Sequence, residues 1–238
     1  MIYPGRGLHG QAVEVLGERI VTGEYAPGTP VRPELLEREL GVSKTVVREA
    51  LRVLADKGLV DSRQKRGTVI RPRGDWHLLD GDVLRWQRRG QDAAFLDNLA
   101  EVRAIVEPAG ARLAAVRRDD GDLAALAAAI GAMTAAAQDE TAMVEADLAF
   151  HRALLAAAHN ELLSGMEVVI EAGLRVRDHI VHGAERWTDP VPAHQAVLDA
   201  LAAGDPDAAA AAVQALLAQA LADLRTLRAT AHPTAPQP

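Results

Sequence analysis

From Ser43 to Asp56 the chain reads SKTVVREALRVLAD, and its apolar positions recur with a helical period. At about 100° per residue, Lys44, Thr45, Arg48, Glu49, Arg52 and Asp56 gather on one arc. Val46, Val47, Ala50, Leu51, Val53 and Leu54 gather on the opposite arc. One face can therefore pack on a core while the other offers cations at i, i+4 spacing. Ser43 suits the N-cap, because its hydroxyl can accept a free N–H of the first turn. Ahead of it, Pro33 to Leu40 reads as a short helix and Gly41-Val42 as a tight turn. Gly58 can stop the second helix. Leu59-Val60 and Thr68-Val69-Ile70 read as strands, with the basic turn Ser62-Arg63-Gln64-Lys65-Arg66-Gly67 between them. Two helices joined by a short Gly-containing turn form the plan in which the second helix enters the major groove of DNA. The basic turn then forms a wing that can reach phosphates or a minor groove.

Elsewhere the pattern is helical. Leu8 to Thr22 carries Val13, Leu16, Ile20 and Val21 at helical spacing, and Gly23 and Pro27-Gly28 end it. Arg71-Pro72-Arg73-Gly74 has the composition of a linker. Asp75 to Gly90, with Trp76, Leu79, Val83, Leu84 and Trp86, predicts a short helix bridging what precedes and follows it. About six further helices are expected near 94–117, 120–138, 141–158, 161–183, 191–203 and 206–230. Their Ala and Leu pattern permits close helix–helix contact, so an antiparallel helical bundle follows. Met1 to Arg6 and the Pro-rich stretch His232 to Pro238 read as loosely ordered ends. The expected organisation is a DNA-binding domain at 7–73, a linker or bridging helix at 74–91, a helical domain at 92–230 and a tail at 231–238. The fold class is mostly α: an N-terminal winged helix-turn-helix followed by an all-α bundle.

Composition sharpens this picture. The 238 residues suit two domains. With no cysteine, disulfides, thiolate zinc sites and a cysteine nucleophile are excluded. No apolar run is long enough to span a bilayer and no signal-peptide pattern opens the chain, so a cytoplasmic protein is expected. The net charge of −7 is unevenly spread. Residues 1–73 hold 13 Lys and Arg against 9 Asp and Glu, whereas residues 74–238 hold 13 against 24. From Lys44 to Arg73 the balance is 9 basic to 3 acidic. A basic segment attached to an acidic body fits a local nucleic-acid footprint.

Leu40-Gly41-Val42-Ser43-Lys44-Thr45-Val46-Val47-Arg48-Glu49-Ala50-Leu51, then Lys57-Gly58-Leu59-Val60 and Lys65-Arg66-Gly67-Thr68-Val69, resembles the winged helix-turn-helix of the GntR family of bacterial transcription regulators. Further on, Glu101-x-Arg103…Glu107, Asp147…Phe150-His151-Arg152-Ala153-Leu154, Asn160 and His194…Leu198…Ala200-Leu201…Gly204-Asp205 resemble the FCD domain of its FadR-like branch. The segment Trp76…Leu79-Asp80…Asp82-Val83-Leu84…Trp86 is similar to one in hexonate-responsive members. The resemblance implies a regulator, most simply a repressor, that binds a palindromic operator in double-stranded DNA as a homodimer. It further implies that a small carboxylate, such as a sugar acid, is sensed by the bundle. On the DNA side, Lys44 and Arg48 are placed for base edges, favouring guanine O6 and N7. Ser43, Thr45, Lys65 and Arg66 are candidates for phosphates or the minor groove, and Gly67 permits a tight wing. Where the family often has an Arg in the first helix, this chain has Glu34, so Arg32 or Arg38 is the substitute.

Inside the bundle, Asp147 and His151 are four apart and share a face with Val144, Leu154, Leu155 and Ala158. His194 repeats the situation beside Val197, Leu198 and Leu201. Burying such groups without partners costs several kcal/mol. Two solutions stand open: an Asp–His hydrogen bond with an unrelated His, or a divalent metal such as zinc, nickel or manganese. The resemblance implies the metal, since many FCD domains hold one with an Asp and three His. The fourth ligand of that pattern falls on Leu216, which leaves three protein ligands and an open position for water or an α-hydroxy acid. Arg103 can clamp a carboxylate or pair with Glu107 one turn on. Arg175 and Arg177 are further ligand candidates, and Trp187 could cover a sugar-like face. The rival reading is a metal-dependent enzyme built on Asp147, His151 and His194, which leaves the basic wing without a role.

Overall fold

In the computed structural model, residues 7–63, 67–89, 93–136, 139–181 and 189–231 are described. They divide into two compact units, Met1–Phe95 and Leu96–Pro238. The first unit runs α1 (Gly7–Val21), β1 (Pro30–Val31), α2 (Pro33–Leu40), α3 (Lys44–Asp56), β2 (Val60–Arg63), β3 (Gly67–Ile70) and α4 (Gly81–Arg89). Ser43 caps α3, its Oγ accepting from Val46 N at 3.4 Å. Gly41 ends α2 in the left-handed region at φ 63°, its N–H returning to Glu37 O. The amphipathic arc of α3 is realised as read. Val47, Ala50, Leu51 and Leu54 are buried, while Lys44, Thr45, Arg48, Glu49, Arg52 and Asp56 are exposed.

The sheet is antiparallel, in the order β1-β3-β2. Residues 60–63 pair with 67–70, Val60 opposite Ile70 and Arg63 opposite Gly67. The sequence reading contained two of these strands and not β1, whose two residues are too few to show a period and include Pro30. Gly67 opens β3 at φ 77°, in the conformation glycine favours. The core of this unit joins Val13, Leu16 and Ile20 of α1 to Leu51 and Leu54 of α3, Ile70 of β3 and Trp86 of α4. Gly17 lets the Trp86 ring lie against α1, because a Cβ there would stand within 2.5 Å of three ring atoms.

The second unit begins on α5 (Ala93–Arg117) and continues with α6 (Asp120–Ala136), α7 (Glu140–Ala156), α8 (Glu161–Gly165), α9 (Glu167–Val181), α10 (Val191–Ala203) and α11 (Pro206–Ala231). Residues from α5, α6, α7, α10 and α11 share one alanine-rich core. The single helix expected near 161–183 is instead two. Asn160 caps α8 with its Oδ1 on Leu162 N and Leu163 N, and the chain breaks after Gly165, where Met166 N turns back to Leu163 O. Glycine weakens a helix interior, and apolar periodicity alone cannot register such a break.

Gly17→Ala should destabilise the first unit by about 1–3 kcal/mol through overpacking against the buried Trp86 ring. Urea unfolding followed by tryptophan fluorescence reads this; an unmoved midpoint would mean that the ring swings aside freely.

Candidate functional sites

Two arrangements carry chemistry, one in each unit. On the first, the polar arc of α3 stands in solvent. Lys44 forms a loose ion pair with Glu34 of α2, 3.4 Å apart and exposed on both sides, so water competes easily with it. No ion pair of Arg48 or Arg52 occurs among the described contacts. Arg32 is exposed at the N-cap of α2 and makes no capping bond with its side chain. Arg38 is exposed in the last turn of α2. Lys65 and Arg66 lie outside the described residues.

On the second unit, Asp147 and His151 of α7 and His194 of α10 come together, all buried. His194 Nδ1 donates to Pro190 O at 2.8 Å, because a carbonyl can only accept. Its Nε2 therefore faces Asp147 Oδ1, 2.9 Å away, as a lone pair when the ring is neutral. His151 repeats the arrangement. Its Nδ1 meets Glu107 Oε2 at 2.6 Å, and its Nε2 lies 3.8 Å from the same Asp147 oxygen. Two imidazoles are each oriented by an outer acceptor, with their second nitrogens turned on one carboxylate. Metal-ligating histidines are held in this way. Donors around one zinc-sized ion lie about 3–3.5 Å apart at bond lengths near 2.1 Å, close to the spacing here. The group could thus hold a divalent cation, and its imidazole and carboxylate donors suit zinc, nickel or manganese.

Arg103 and Glu107, one turn apart on α5, complete the cluster. Arg103 Nε donates to Glu107 Oε1 at 2.5 Å, and its Nη2 lies 3.4 Å from His151 Nε2. Burial by itself pushes the Glu107 carboxyl up, but Arg103 and His151 more than offset it and hold it at about 2. Arg103 also lines a cavity of about 280 Å³ between α5 and α11, whose described walls are otherwise aliphatic apart from Gln214.

Against known families, two matches fall in chain order: bacterial regulatory proteins of the gntR family over residues 8–70, and the FCD domain over residues 98–219. The galactonate operon transcriptional repressor of Escherichia coli (strain K12) is 36% identical over 219 residues, which cover 90% of this chain and 96% of that protein. The chain belongs to the GntR family. An HTH-type transcriptional regulator of Mycobacterium tuberculosis is also 36% identical, over 217 residues that cover 90% of this chain and 88% of its own. Among solved structures, Lar, which controls expression of the Listeria monocytogenes agr system, superposes with a TM-score of 0.63 at 20% identity, over 93% of this chain and 98% of that one.

This GntR-family chain is therefore a DNA-binding transcription regulator with a winged helix-turn-helix and an FCD domain. The enzyme reading is not supported, because the matching families and relatives are regulators. Of the residues the sequence singled out, Asp147, His151, His194 and Arg103 come together. Leu216, at the position of the family's fourth ligand, is buried in the aliphatic core and offers no donor. Arg103 is paired with Glu107, the second of the two options left open above. Arg175 is held by Glu171 and Glu145 at 2.8 and 2.6 Å, which accounts for its charge without a ligand. The Arg177 side chain and Trp187 lie outside the described residues. In the sequence Glu107 stood out as a motif residue and as the helical neighbour of Arg103, not as a partner of His151. Its hold on His151 spans 44 positions, and no local spacing reports it.

Glu107→Ala would strand the buried Arg103 charge and should cost about 3–5 kcal/mol, whereas Glu101→Ala on the exposed face should stay within about 0.5. Denaturant unfolding of both variants checks the contrast; equal effects would mean that the Glu107 contacts contribute little.

Proposed function

We propose that this protein is a repressor that binds a palindromic operator as a homodimer and releases it when the FCD domain takes up a small organic acid. What supports this most directly is the buried Asp147–His151–His194 group, joined through Arg103 to a cavity. A divalent ion on those three side chains would leave open positions, which an α-hydroxy acid could fill through carboxylate and hydroxyl. The ion would supply Lewis acidity and charge for binding an anion. In this reading the Arg103 guanidinium, oriented by Glu107, would receive the same carboxylate. A sugar acid is the favoured class, given the 36% identity to a galactonate operon repressor. Arg177 and Trp187 are kept as further contacts to it.

In this reading residues 7–73 contact DNA, 74–91 connect, 92–230 sense the effector and 231–238 form a tail. Lys44 and Arg48 read base edges. Arg32, Ser43, Thr45, Lys65 and Arg66 hold phosphates or the minor groove, and Gly67 keeps the wing tight. Two-fold symmetry in the protein would match two half-sites on the operator. No helix among the described residues is long and apolar enough to cross a membrane, and work on the chromosome implies the cytoplasm.

Protein dialysed free of metal should take up one nickel, zinc or manganese ion per chain, and Asp147→Ala should take up none, by elemental analysis. Sub-stoichiometric metal in both proteins would sink the metal reading. Arg48→Ala should weaken operator binding by about 1–3 kcal/mol and relax preference at one base pair. D-galactonate at millimolar concentration should release the operator from the wild-type protein and not from Asp147→Ala. Release by no aldonic acid would discard the sugar-acid class and leave the regulator.

A further inference from the structure

A second buried charge cluster lies in the first unit, at the end of α3 and apart from its exposed face. Lys57, which caps the C-terminal end of α3, is 6% exposed, and Asp82 of α4 is fully buried. Lys57 Nζ lies 2.8 and 3.0 Å from the two carboxylate oxygens of Asp80 and 2.7 Å from Asp82 Oδ2. Asp80 also caps α4, accepting from Asp82 N and Val83 N. From Asp82 the chain of charges runs on. Arg85 Nη2 meets Asp82 Oδ1 at 2.5 Å, and its two Nη atoms grip both oxygens of Glu14 on α1. Trp86 Nε1 donates to the same Glu14 at 3.0 Å. Burial alone pushes the Lys57 ammonium down, and the two aspartates more than offset it, so its pKa stands above the ordinary lysine value.

Such a cluster is a costly way to gain stability, since an apolar set of similar volume commonly does as well. Its geometric effect is specific. Three donors on one ammonium and three acceptors on two aspartates fix both the distance and the rotation of α4 against the end of α3. Backbone contacts reinforce the joint: His77 N donates to Lys57 O at 3.0 Å, and a Cβ on Gly58, at φ 77°, would stand 2.5 Å from Asp75 O. After α4 the chain enters α5, the helix that carries Arg103 and Glu107.

We infer that Lys57, with Asp80 and Asp82, is a positioning residue for operator recognition: it locks the DNA-reading helix α3 to α4, so that operator binding and the placement of α4 are linked. Linkage is reciprocal: a ligand whose binding shifts α4 and changes operator affinity has its own affinity changed by operator by the same factor.

The test uses the full chain and a duplex that it selects from a randomised pool. Hydrogen exchange of the α4 amides in the wild-type protein, with and without that duplex, is measured first. Operator should slow exchange there by at least about fivefold, the lower end of measured couplings between sites. The double variant Lys57→Met, Asp82→Asn removes the ionic link while keeping volume and the Asp80 cap. It should fold with unchanged helix content, lose about tenfold in affinity for the selected duplex, and bind a scrambled duplex as before. A merely structural role would lower the melting temperature and leave that ratio of affinities alone. Wild-type α4 exchange indifferent to operator would overturn the inference without any variant. So would a folded double variant that keeps its preference for the selected duplex.

Discussion

Charge taken out of water must find its counter-charge inside the fold, and in both units that requirement decides which side chains meet. The Glu107 carboxylate is fully buried, yet Arg103 and His151 keep it ionised down to about 2. Removing either partner would strand the others, so the three act as one body. That body turns His151 so that its Nε2 faces Asp147. The Pro190 carbonyl, at the N-cap of α10, does the same for His194 on that helix. The convergence of the three side chains is thus a consequence of satisfying outer hydrogen bonds.

The first unit uses the same rule around Lys57, but to a mechanical end. Its recognition helix needs one face in the core and one face in solvent. The apolar arc alone would permit some sliding along the helix axis. Lys57 ties the end of α3 to α4 by direction-dependent bonds, and Trp86 against Gly17 fits α4 to α1 by shape. The cations of α3 stand exposed on one arc, while these contacts are made by buried groups.

Much of this was legible in the sequence because its causes are local. The 3.6-residue period of α3, the Ser43 cap and the Gly41 turn each involve neighbours within four positions. The same holds for the placing of Asp147 and His151 on one face. β1 and the break between α8 and α9 escaped for opposite reasons. Two residues hold no period, and an apolar stripe continues across a kink that one Gly permits. Arg103 was readable as half of a pair with Glu107, but the further role of Glu107 was not, since nothing within α5 refers to α7.

The sequence by itself therefore determined the two-part plan, the amphipathic helices, the exposed cations of α3 and the identity of the polar residues forced into an apolar bundle. Those properties follow from backbone period, capping chemistry and the cost of burial, all of which act along the chain. Only the tertiary structure decided that the His151 and His194 nitrogens converge on Asp147 and that Lys57 closes on Asp80 and Asp82. It likewise decided that Arg103 stands at the wall of a cavity between α5 and α11. Each of these is a meeting of side chains from separate helices, fixed by packing and by the search of buried charges for partners.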